Sequence, residues 1–211
     1  MTISSKTSEN VVWHTGSVTR AQHEKKNTHR GAVVWLTGLP SSGKSTIAHA
    51  VEANLHSLGF QTAVLDGDNI RHGLCADLGF LVSDRNENVR RTGELAKLLL
   101  ELGVVVIVAL VSPIRLARDK VRQSIPEEDF IEVYCNASLA VCKERDPKGL
   151  YAKVASGAIN NFTGVSSPYE TPLAPELVLD TGSQHAGKAV DQLTEFLLRH
   201  LSDSRLDETA N

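Results

Sequence analysis

The chain lacks a long hydrophobic run. Nothing in its 211 residues approaches the roughly 18 consecutive apolar positions that a membrane-spanning helix needs, so none is expected. The first residues are polar and carry no hydrophobic signal segment. An excess of charge of one sign is missing too. The 22 Lys and Arg against 25 Asp and Glu leave a net charge of −3, which argues against a nucleic-acid partner. Cysteine is scarce. Cys75, Cys135 and Cys142 are an odd number without C-x-x-C spacing, as expected of reduced thiols in a cytoplasmic protein. The eight histidines form no H-x-x-x-H or H-E-x-x-H pair, so none is assigned to a metal. There is no internal repeat. A chain of this length buries a core without staples and suits one domain, or one domain with a mobile flap.

What is present centres on residues 33–48. Val33 to Thr37 reads as a buried strand and Lys44 to about Leu58 as a helix, with Ile47, Ala48, Val51, Leu55 and Leu58 at helical spacing. Between them, Gly38-Leu39-Pro40-Ser41-Ser42-Gly43-Lys44-Ser45 fits the phosphate-loop pattern G-x-x-x-x-G-K-[ST] at every fixed position. Such a loop turns backbone N–H groups toward an anion, and the helix behind it adds the positive end of its dipole. Lys44 is placed to reach the β- and γ-phosphates, and the Ser45 hydroxyl to ligate Mg²⁺.

Further strands are predicted at Gln61–Leu65, Val104–Val111, Phe130–Cys135 and Leu177–Asp180. Helices are predicted near 84–102, with Asp84 and Glu87 as a capping pair, at 113–124 with Pro113 in the first turn, at 138–145 and at 186–200. Residues 69–83 read as irregular. The alternation predicts a three-layer α/β/α fold of the P-loop NTPase type, with a mainly parallel five-stranded sheet. Residues 1–30 are expected to be a partly disordered N-terminal extension, in which Trp13 packs on the body or another subunit. Residues 31–202 are expected to form the phosphate-loop domain and 203–211 a polar tail. Residues 146–170, rich in Gly, Pro, Ser and Asn, are read as a mobile lid.

Ligands of such sheets bind at the carboxyl ends of the strands. Asp66 and Asp68 after the second strand are candidates for holding Mg²⁺ or taking a proton from an attacking hydroxyl, with a turn or helix N-cap as the alternative. Arg71 and Arg85 flank Phe80, a combination suited to a planar anionic substrate, whereas Arg90 and Arg91 read equally well as a solvated face. The lid carries Arg145, Lys148 and Lys153 with Phe162 and Tyr169. These residues alone describe a small phosphotransferase with an anionic acceptor.

The stretches Asp66-Gly67-Asp68-Asn69-Ile70-Arg71, Gly79-Phe80, Asp84-Arg85-Asn86-Glu87-Asn88, Ser112-Pro113, Arg145 to Tyr151 and Phe162 to Glu170 resemble adenylyl-sulfate kinases. The likeness runs from about Val12 to the last helix. It implies transfer of phosphate from MgATP to the 3′-hydroxyl of adenosine 5′-phosphosulfate (APS), giving PAPS and ADP in sulfate assimilation. By position it implies ATP contacts from Gly38 to Thr46 and from Arg145. It also implies APS contacts from Asp68, Arg71, Phe80, Arg85, Asn88, Val111, Ser112, Lys148 and Phe162, with the adenine between Phe80 and Phe162. Ser45, Asp66 and Asp68 would be the Mg²⁺ ligands, and Lys44, Asp68 and Ser112 the catalytic set. Ser112 matches a serine given a phosphoserine-intermediate role in the family. In-line transfer needs no such intermediate, so Ser112 is read here as a hydrogen-bonding group. A homodimer, an ATP sulfurylase partner and a cytoplasmic location are implied as well. Pro40 within the loop and Ile114 after Ser-Pro depart from the family pattern. A kinase for another small molecule would explain the phosphate loop but not the Phe80, Arg85 and Phe162 set. Intact Lys44, Ser45, Asp66 and Asp68 argue against a non-catalytic nucleotide-binding module.

Overall fold

The computed structural model describes residues 11–201 apart from 13 and 15. The expectations for residues 1–10, for Trp13 and for the tail from Ser202 lie outside that range. Five strands form one sheet: β1 (Ala32–Thr37), β2 (Thr62–Asp66), β3 (Val105–Ala109), β4 (Phe130–Cys135) and β5 (Leu177–Leu179). Every pairing is parallel and the order is β2-β3-β1-β4-β5. The β-branched run of β3 is buried along its whole length, as a strand covered on both faces must be. The middle of the sheet is β1.

Alternate residues of the strands build two cores. Val34, Leu36, Ile107 and Val133 face α2 (Lys44–Ser57) and α8 (Ala186–Leu201). Val33, Trp35, Val106 and Val108 face α4 (Val82–Leu100) and α5 (Arg115–Arg122). A period of two in the strands thus meets a helical stripe on each side, giving three layers.

The structure departs from expectation at the ends of elements. Residues 67–71 form a short helix, α3 (Gly67–Arg71), because the Asp66 side chain caps it by accepting the Asp68 N–H at 2.9 Å. Asp84 does not pair with Glu87. Its carboxylate accepts the Leu81 N–H, while Glu87 binds Arg90 and Arg91. Pro113 precedes α5 instead of opening it. The N-terminal region holds α1 (Arg20–Asn27), capped by Thr19 and Gln22 and tied to the body by the Arg20–Asp129 ion pair. Residues 146–170, the segment read as a lid, follow α6 (Leu139–Arg145) and contain α7 (Leu150–Ala155). Tyr151 and Phe162 join Ala137 and Cys142 in a third, smaller core.

Candidate active site

The phosphate loop follows β1 in the middle of the carboxyl edge. A Cβ on Gly38 would lie 2.7 Å from the Cys135 carbonyl oxygen, so only glycine lets the loop leave the strand so close to β4. The loop turns on Ser41 (φ 64) and Gly43 (φ 94), and α2 starts at once. Lys44 folds back into this turn. Its Nζ donates to the carbonyls of Gly38 (3.0 Å) and Leu39 (2.7 Å) and to Ser42 Oγ (3.3 Å). All three acceptors are neutral. Burial therefore dominates and lowers the ammonium to about 8, with nearby Asp66 offsetting part of the effect.

A cavity of about 860 Å³ opens over the loop. Pro40 to Thr46 line one part, Arg145 another, and Asp66, Asp68, Arg71, Phe80, Arg85, Asn88, Val111, Ser112, Lys148 and Phe162 the rest. Gly38 and Leu39 shape the loop without lining the cavity. Of the lid's other candidates, Lys153 and Tyr169 lie outside it. Arg90 and Arg91 serve α4 itself, Arg91 pairing with Asp77 to hold the preceding loop.

The acceptor side is cationic and aromatic. Phe80 is 60 % exposed, with the Arg71 guanidinium 4.4 Å and the Arg85 guanidinium 5.6 Å from its ring centre. Burial and the charge of Arg71 both hold Arg85 below its usual value, an imbalance that a bound anion relieves. Phe162 is buried and meets Tyr151 edge-on at 4.9 Å. Phe162 lies in the third core, whereas Phe80 is the ring that stands exposed. Lys148 reaches from the lid to form an ion pair with Asp68.

The sequence profile of the adenylylsulphate kinases matches residues 30–180. The chain belongs to the adenylylsulphate kinase family. An adenylyl-sulfate kinase of Acaryochloris marina is 55 % identical over 190 residues, which is 90 % of this chain and 93 % of that protein. One of Citrobacter koseri is 55 % identical over 189 residues, 90 % of this chain and 94 % of that protein. The solved structure of a Mycobacterium tuberculosis APS kinase in complex with AMPPNP and APS matches with a TM-score of 0.74 at 45 % identity, covering 80 % of this chain and 98 % of that one. A hexameric APS kinase from Thiobacillus denitrificans matches with a TM-score of 0.61 at 30 % identity, covering 85 % of this chain and 31 % of that one.

In this member of the adenylylsulphate kinase family, sequence reasoning missed Trp35 and Thr37, which hold the expected Ser112, and Thr181 and Gln184. Ser112, at φ 38, sits in a buried hydrogen-bond chain. Trp35 Nε1 donates to Ser112 Oγ (3.1 Å), Ser112 to Thr37 Oγ1 (3.1 Å), and Thr37 to the Val111 carbonyl (2.9 Å). Tyr169 OH lies 3.0 Å from Thr37 Oγ1, and burial pushes its phenol up, so it stays protonated. The Ser112 proton is thus already committed. Thr181 and Gln184, beyond β5, also line the cavity, and Thr181 Oγ1 and Gln184 Nε2 are buried without a hydrogen-bond partner. Their place at the carboxyl end of a strand was the available signal. Asp66 Oδ2 and Asn88 Nδ2 are orphaned in the same way. All four residues line the cavity, so a ligand there can supply the missing partners.

Proposed function

We propose that the protein transfers the γ-phosphoryl group of MgATP to the 3′-hydroxyl of APS, giving PAPS and ADP. One observation carries the reading: a single cavity joins a phosphate loop to the Arg71–Phe80–Arg85 cluster and Phe162. The nucleotide phosphates lie along Pro40 to Thr46, where N–H groups, the α2 dipole and Lys44 meet them. Arg145, Thr181 and Gln184 face the rest of ATP. Phe80 and Phe162 flank the acceptor's adenine, and Arg71, Arg85, Asn88 and Lys148 meet its anionic groups. The 3′-oxygen then forms a bond to phosphorus as the bond to the ADP oxygen breaks. The hydroxyl proton passes to the Asp68 carboxylate once Lys148 has turned from Asp68 to the substrate. Val111 and Ser112 form the floor beneath the acceptor, and Ser112 acts through its hydrogen bonds.

The donor set suits Mg²⁺. Asp66 has one carboxylate oxygen fixed by the Asp68 N–H and the other buried without a partner, and Ser45 and Asp68 line the same cavity. One or two carboxylates beside phosphate oxygens are the usual protein share of such a site. Bound there, the ion would neutralise charge on the transferring phosphate.

The decisive experiment incubates purified protein with MgATP and APS and separates PAPS from APS. Phosphorylation of a sugar, shikimate or a nucleoside monophosphate with APS untouched would overturn the reading. The dimer, the sulfurylase partner and the cytoplasmic location remain parts of this proposal. Light scattering after size exclusion tests the dimer, and a monomer at working concentration removes it. Among the described residues no helix is long and apolar enough to cross a membrane.

A further inference from the structure

Ser112 sits in a backbone conformation that a residue with a Cβ adopts only when its surroundings hold it there. Its hydroxyl is held by Trp35 and Thr37. Its carbonyl is held by Arg118 of α5, whose Nη1 donates to it at 2.6 Å. The same guanidinium donates through Nη2 to the Glu170 carbonyl at 2.8 Å and through Nε to Glu132 on β4 at 2.7 Å. Glu170 closes the loop by donating its N–H to the Pro113 carbonyl at 2.8 Å. Arg118 is 1 % exposed and lines no part of the cavity.

A buried arginine–carboxylate pair is a poor device for stability, because packed apolar side chains of similar volume usually serve as well. A planar fork does something apolar groups cannot: it fixes several acceptors relative to one another. Here the acceptors belong to β4, to the residue that ends the β3 floor, and to the strap that runs on from Phe162. None of the hydrogen bonds of Arg118 reaches residues 38–46.

We propose that Arg118 is the positioning residue for the acceptor half of the site. It sets the Val111–Pro113 floor and the Phe162 strap in register with each other, and so governs how APS is seated while leaving the phosphate loop alone. The inference rests on the acceptor reading above.

The test uses two variants of the full chain. Arg118→Lys keeps a cation beside Glu132, but one ammonium nitrogen cannot stand where the three guanidinium nitrogens meet their separate acceptors. Arg118→Met combined with Glu132→Leu removes both buried charges, so an uncompensated charge does not confound it. In each, kcat/KM for APS should fall by about 10- to 100-fold, the scale of a misplaced substrate. The Kd for ADP should stay within about twofold. In a Trp13→Phe background, Trp35 becomes the sole tryptophan, and its emission should shift as the Ser112 hydroxyl moves. A folded variant with unchanged APS kinetics would overturn the inference. So would equal losses for APS and ADP, which mark general loosening. If the unaltered chain binds ADP yet leaves APS unphosphorylated, the acceptor reading fails. Unshifted Trp35 emission in Arg118→Lys would then separately overturn the positioning role.

Discussion

Lys44 should make nucleotide binding pH-dependent in a range where phosphate no longer titrates. Its ammonium is buried among neutral acceptors and lowered to about 8 from an ordinary 10.5. That shift is a bias of about 3 kcal/mol against the charged form. Phosphate oxygens favour the charged form, so binding should draw a proton onto Lys44 wherever the free protein has lost it. Between pH 7 and 9 the apparent Kd for ADP should weaken roughly tenfold, with uptake approaching one proton per ADP at the upper end. Titration calorimetry in two buffers of different ionisation enthalpy reads both quantities, and Lys44→Met should flatten both. The kcat/KM for ATP should fall along the same limb, since that ratio reports the free enzyme. Stability of the free protein has the opposite slope. Folding lowers this pKa, so the penalty is complete below about pH 8 and is relieved as pH rises toward the unfolded value near 10.5. An ADP affinity that is level from pH 7 to 9, without proton uptake, would refute the argument.

Four other outcomes are expected. Ser112→Ala should stay active while losing about 1–3 kcal/mol of stability, since it orphans Trp35 Nε1; kinetically competent, stoichiometric phosphate on Ser112 would reject direct transfer. Asp66→Asn should raise the Mg²⁺ concentration needed for half-maximal rate while keeping the α3 cap, since an Asn oxygen accepts the Asp68 N–H equally well, and an unchanged Mg²⁺ dependence removes Asp66 from the metal site. Phe162→Ala should raise the KM for APS more than that for ATP while costing the third core about 3 kcal/mol or more. In the unaltered protein, hydrogen exchange across 146–170 should slow when ADP and APS are added together, and equal protection with and without them argues against a lid.

The readable parts of the sequence were those in which local pattern and tertiary environment agree. The run at Val105–Ala109 is apolar and β-branched because both its faces are covered, and the phosphate-loop pattern puts the start of a helix at Lys44, where α2 begins. α1 gave no periodic signal since none of its residues is buried; its cap and the Arg20–Asp129 pair hold it instead. α7 is too short to show a period and lies among Gly and Ser. In the site, Phe80, Arg85 and Phe162 stood out by type. Arg118 did not, because a helical arginine between Ala117 and Asp119 reads as surface until the topology brings Glu132 and Glu170 around it.

The placement of β1 also constrains the order of folding. Among the described residues its strand partners are β3 and β4, both far along the chain, and β2 reaches it through β3. Contacts of such sequence separation form slowly. The loop that would receive phosphate therefore lacks walls until Val105–Ala109 and Phe130–Cys135 have docked, although its residues precede both strands in the chain. During refolding, nucleotide binding should appear with the last phase and not before it. A fluorescent ADP analogue added at successive times would show this, and its early capture would mean that the loop closes without its neighbours.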